Sequence, residues 1–137
     1  VRSESSGDTF ELTVPVLASD IDEQKHVNNT VYLRWAQEVA TAHWRATAPA
    51  DTRDAIGWVV LRHEIDYKSA ANLGDEILLR TWVGKASRLT FERFTEVRRK
   101  SDNEVLAEAR TLWCPINPAT GRPTRVSPEV RARFSTS

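Results

Sequence analysis

The 137-residue chain predicts an α+β fold, with a five-stranded antiparallel sheet packed on one long central helix. Three observations carry that expectation. One stretch, from Asn29 to about Ala46, has apolar residues at three- and four-residue spacing. A strand-like run precedes it, and four longer ones follow, near 58–69, 75–85, 89–100 and 104–116. The last four are divided only by short turn sequences, "NLGD", "KASR" and "SDNE", which suit antiparallel neighbours and leave no room for crossover helices.

The elements follow in order. Residues 1–8 are polar and are expected to be a flexible N-terminus, with 9–137 forming a single domain. Phe10 to Ala18 alternates as a strand does. The connection that follows, "SDIDEQKHVNNTVYLRW" at 19–35, crowds two acids, a histidine and an Asn-Asn pair just before the helical pattern. A surface turn needs fewer polar groups. Asn28, Asn29 or Thr30 is expected to cap the helix, whose buried face is Tyr32, Trp35, Ala36, Val39, Ala40 and His43. Pro49 ends it, and Ala50 to Ile56 reads as a polar connection. After the strands, "NPATGRP" closes the sheet and "SPEVRARF" predicts a short helix with Ser127 as cap and Pro128 at its first position.

Composition narrows the function. Nineteen basic and nineteen acidic residues cancel, so neither nucleic acid nor an anionic membrane is expected as the main partner. No run approaches the ~20 apolar residues of a bilayer span, and the first residues lack the apolar core of a signal peptide. The expectation is a soluble, cytoplasmic protein. The single cysteine, Cys114, has no internal partner and no metal-binding companions, and reads as buried and inert.

Strand parity bears on assembly. Val59, Leu61, Ile65 and Tyr67 form one apolar face, which should hold the helix, and place Trp58 and Val60 on the other. Trp82 is out of phase with Ile77, Leu79 and Val83, and Phe94 with Leu89, Phe91 and Val97. One helix covers one face of a sheet. The parity is consistent with a homodimer and leaves open its further pairing, through those aromatics, into a tetramer; scattered surface aromatics are the alternative.

The order strand, long helix, four strands, together with Asp-x-Asp-x-x-x-His-Val-Asn-Asn-x-x-Tyr at 20–32, resembles the hotdog-fold thioesterases. Within them it is similar to the 4-hydroxybenzoyl-CoA and long-chain acyl-CoA branch, and "SDIDEQKHVNNTVYLRWAQE" is also similar to acyl-ACP thioesterases. The likeness runs from about Val14 to Pro123, with "IDYKSAANLGDEI" at 65–77 and "INPATGRP" at 116–123 as later landmarks. It implies a sheet wrapped around its helix, dimers joined edge to edge, and an active site at the dimer interface. The implied substrate is an acyl-CoA or acyl-ACP thioester, cleaved by water without metal or organic cofactor.

The residues suit that chemistry. A thioester carbonyl is electrophilic and its leaving thiol has a pKa of about 8.5, so no strong acid is required. A carboxylate that activates water or attacks the carbonyl, plus an oxyanion donor at a helix N-terminus, suffices. The hydroxybenzoyl-CoA alignment puts the carboxylate on Asp20 and the acyl-ACP alignment puts it on Asp22, four residues before His26. Asp20 is the favoured base or nucleophile, with Asp22 as the alternative carboxylate or the residue that orders the loop. His26 is read as polarising the carbonyl, assisting water or fixing the loop. Asn28 and Asn29 are candidates for orienting substrate or capping the helix, Tyr32 and Trp35 for lining the acyl pocket or filling the core, and Arg88 with Lys85 for a coenzyme A phosphate. "RRK" at 98–100 is a denser basic patch, Glu38 reads as a solvated helix charge, and His63 as a satisfied core histidine. Relatives carry glycine where this chain has Lys25, and acyl-ACP enzymes carry asparagine where it has Gln24. Two other classes share the fold: a hydratase, whose usual histidine-proline motifs are missing here, and a non-catalytic acyl-thioester binder.

Overall fold

The computed structural model describes residues 9–134; the expected flexible segment at 1–8 lies outside them. Five strands, β1 (Phe10–Pro15), β2 (Gly57–Tyr67), β3 (Glu76–Ala86), β4 (Phe91–Arg99) and β5 (Val105–Ile116), form one antiparallel sheet in the order β1-β3-β4-β5-β2. The long helix α1 (Asn29–Thr47) packs on one face. Two short helices, α2 (Ala50–Ala55) and α3 (Pro128–Phe134), complete it. No helix among the described residues is long and apolar enough to cross a membrane.

Helix α1 forms where the spacing predicts. Asn28 is its cap: its side chain accepts the Thr30 N–H at 2.9 Å, satisfying a donor that the first turn leaves open. Val31, Tyr32, Trp35, Val39 and His43 are buried against the sheet. Ala50–Ala55, expected as a connection, is a helical turn after Pro49; it buries no side chain, so no apolar spacing announces it. In α3, the Ser127 hydroxyl accepts the Val130 N–H at 3.3 Å, and Val130 packs with Val126 beside Trp44. Cys114 is buried and free.

The phase expected for β2 is wrong over its first half. Pairing with β5 jumps from Val60↔Trp113 to Arg62↔Leu112, so Leu61 is an extra residue, a bulge. The extra residue inverts the alternation. Trp58 faces the helix and meets Trp44 and Phe91 edge-on at 5.2 and 5.1 Å. Val59 and Leu61 turn outward, 42% and 56% exposed, while Ile65 beyond the bulge packs on the core. Trp82 does lie opposite the helix, stacked on Phe94, but is only 3% exposed. Neither tryptophan therefore needs a second interface to cover it, and the argument for a tetramer loses its support.

The outer face is instead built from charge. Glu96, 1% exposed, accepts from Arg80 and Arg98, both at 3.1 Å, and Arg110 bridges Glu64 and Glu92. The basic run at 98–100 is committed internally as well: Arg99 binds Asp75, Asp102 and Glu104, which leaves little of it for a ligand.

Candidate active site

The polar segment ahead of α1 folds into a tight loop. A 3₁₀ turn at Ala18–Asp20 leads into an Ile21↔Val27 bridge, and the Asp22 N–H donates to the His26 carbonyl at 3.0 Å. Lys25 closes the turn at φ +64°, in the left-handed region that favours glycine. Lysine reaches this conformation at a backbone cost of roughly 1–2 kcal/mol.

The two aspartates have different surroundings. Asp20 is 2% exposed and both oxygens are engaged: Oδ2 accepts the Leu17 N–H at 2.9 Å and Oδ1 accepts Arg34 Nη2 at 3.0 Å. Its carbonyl accepts the Asn28 N–H at 2.9 Å. Asp20 thus ties strand, loop and helix together. Asp22 is half-buried, and only its Oδ1 is used, by the Gln24 N–H at 2.9 Å. Among the described residues its Oδ2 has no partner.

The helix start is similarly selective. The Asn28 N–H goes to Asp20, and those of Thr30 and Val31 go to the Asn28 side chain and carbonyl. The Asn29 N–H has no partner among the described residues, while the Asn29 carbonyl accepts the Tyr67 hydroxyl at 3.1 Å. His26, exposed, meets Asn72 Oδ1 through Nδ1 at 3.1 Å. Tyr32 and Trp35, 3% and 1% exposed, belong to the core; the Tyr32 hydroxyl accepts the Ala71 N–H at 3.0 Å. Arg88 is exposed in the β3–β4 turn, and Glu38 is a surface charge paired with Arg34 at 3.5 Å. His63 is satisfied only in part, since Nδ1 meets Thr111 but buried Nε2 has no hydrogen-bond partner among the described residues.

A cavity of about 990 Å³ opens between the second half of α1 and the β2 side of the sheet. Trp44, Trp58, Val60, Phe91 and Trp113 supply its apolar wall, and Arg93 a charge. Its nearest helix residue to the loop, Gln37, stands eight residues beyond Asn29, about 12 Å along the axis. The loop and the cavity sit at opposite ends of β2: Trp58 and Val60 line the cavity, whereas Tyr67 touches the helix N-terminus.

The family model of the Thioesterase-like superfamily matches residues 16–134. The chain belongs to that superfamily. Its fold is the hotdog fold of solved thioesterases, such as the 12:0-ACP thioesterase of Umbellularia californica, at 19% identity and TM-score 0.77 over 93% of this chain and 49% of that one. A thioesterase of Thermus thermophilus, complexed with coenzyme A and Zn, matches at 24% identity and TM-score 0.79, over 90% and 94%. An uncharacterized protein of Mycobacterium tuberculosis is 24% identical over the whole chain, which spans 53% of that relative's length. The matched residues include the loop ahead of α1 with Asp20 and Asp22.

Proposed function

We propose that the protein hydrolyses acyl thioesters of coenzyme A or acyl carrier protein, with Asp22 as the catalytic carboxylate. The observation that carries this reading is the contrast between the aspartates. A base or nucleophile needs a lone pair free to meet water or the carbonyl, and Asp22 Oδ2 has one while both oxygens of Asp20 are engaged. Asp20, favoured from the sequence, is reassigned as the residue that positions the loop. Asp22 takes a proton from water, the water oxygen adds to the carbonyl, and the Asn29 N–H at the positive end of α1 receives the oxyanion. Collapse breaks the C–S bond, and the thiolate leaves and takes up a proton. His26 and Asn72 hold the far side of the loop, Asn28 serves as cap, and Arg88 is the contact for a phosphate of the carrier.

The site is completed by a second copy in this reading. Strand β2 is an edge, paired only with β5, and carries exposed Val59 and Leu61. Antiparallel pairing of two β2 strands about a two-fold axis lays Trp58 of one protomer opposite Tyr67 of the other. Each cavity then adjoins the helix N-terminus and Asp22 of its neighbour. The expected result is release of free thiol from a panel of acyl-CoA and acyl-ACP substrates, read with a thiol-reactive dye. Binding without thiol release across the panel contradicts hydrolysis, and an absorbance change of an enoyl group without it points to hydration.

A further inference from the structure

The least expected group in the cavity wall is Arg93. It is 6% exposed, on the inner face of β4, and no carboxylate among the described residues pairs with it. Its protein partners are neutral: Nη1 meets His43 Nδ1 at 3.0 Å and Thr81 Oγ1 at 3.1 Å. Its Nε and Nη2 donors have no partner among the described residues. An interior cation without a counter-charge is costly unless something supplies the anion.

The rest of the wall points the same way. The cavity is lined by three arginines, Arg45, Arg53 and Arg93, against one acid, Asp54. Between these donors lie aromatic rings and Val60, which suit a methylene chain or ring. The arrangement is apolar along its length with unfilled donors inside it. Burial lowers the guanidinium to about 9, so Arg93 is charged at neutral pH, while burial first and then the charge of Arg93 keep His43 neutral beside it.

We infer that the acyl group accepted here bears a carboxylate at its distal end, and that this carboxylate docks on Arg93. The inference rests on the thioesterase reading and adds to it the class of acyl group. A plain alkyl tail would offer Arg93 no counter-charge and would bury it more deeply. A carboxylate offers the guanidinium a charge-assisted pair.

The test uses two N-acetylcysteamine thioesters of equal length, adipoyl and hexanoyl, which differ only in an ω-carboxylate against an ω-methyl group. Hydrolysis by the full chain should favour adipoyl by at least about tenfold in kcat/KM. Arg93→Met should abolish or reverse that preference, and Arg93→Lys should keep its direction. Binding is read separately by tryptophan fluorescence in Asp22→Asn, where turnover is blocked. Tighter binding of adipoyl by Asp22→Asn, with no hydrolysis of either compound by the unmodified protein, upholds the acyl class and overturns the catalytic reading. Hydrolysis with no preference for adipoyl, or a preference that Arg93→Met leaves intact, overturns the carboxylate proposal and leaves the thioesterase standing. If Arg93→Met fails to fold, the preference of the unmodified protein and of Arg93→Lys decides alone.

Discussion

Asp22→Asn should lower kcat on a thioester substrate by at least about 100-fold while leaving the melting temperature near that of the unmodified protein. The substitution keeps the size of the side chain and the acceptor for the Gln24 N–H, and removes only basicity. Asp20→Asn should behave differently. An amide supplies one acceptor where the carboxylate supplies two, so either the Leu17 N–H or Arg34 loses its partner next to a buried site. The expected cost is roughly 1–3 kcal/mol of stability, with any loss of activity following the loosening of the loop. A folded, thermally intact Asp20→Asn that is inactive, beside an active Asp22→Asn, would reverse the assignment.

Acid should destabilise the fold through His43. Burial first, and then the neighbouring Arg93, push this imidazole from 6.5 down to about 4. In the unfolded chain it takes up a proton as pH falls through 6.5; in the folded chain it resists until about 4. Between those values the unfolded state binds more protons, so stability is complete above 6.5 and falls as pH falls. The full loss from this group is on the order of 3 kcal/mol. Denaturation curves across that window should slope, and His43→Gln, which offers Arg93 an amide oxygen without a titrating ring, should remove that part of the slope. Groups that titrate away from this site contribute equally to both proteins, so the difference isolates His43. Equal slopes would mean that His43 is already protonated, or that Arg93 does not sit against it.

These groups also show which features sequence can carry. The long helix was legible because its apolar spacing is a direct consequence of 3.6 residues per turn, and Asn28 because a cap sits at a fixed offset from that spacing. Strand phase was legible in β3 and β4 but failed in β2, since one bulged residue at Leu61 inverts every position before it and leaves no mark in composition. The surroundings of Asp20 and Asp22 could not be told apart locally. What separates them is Arg34, a full turn into the helix, and whether it reaches one carboxylate or the other is a tertiary fact. Arg93 was missed because a lone arginine in a strand reads as solvated. Its phase, shared with Phe91, Thr95 and Val97, was the available signal that it points inward.

The central claim is that Asp22 of one protomer serves the cavity of the other, and subunit complementation tests it most directly. Two inactive parents are needed: Asp22→Asn, which lacks the carboxylate but keeps an open cavity, and Ala40→Trp, which fills the cavity but keeps the carboxylate. After unfolding and refolding together, half of the dimers should be mixed, and each mixed dimer has one site with both parts intact. The account predicts recovery of about one quarter of the unmodified activity. Both parents folded and dimeric, with no recovery on mixing, would contradict it and place carboxylate and cavity within a single chain.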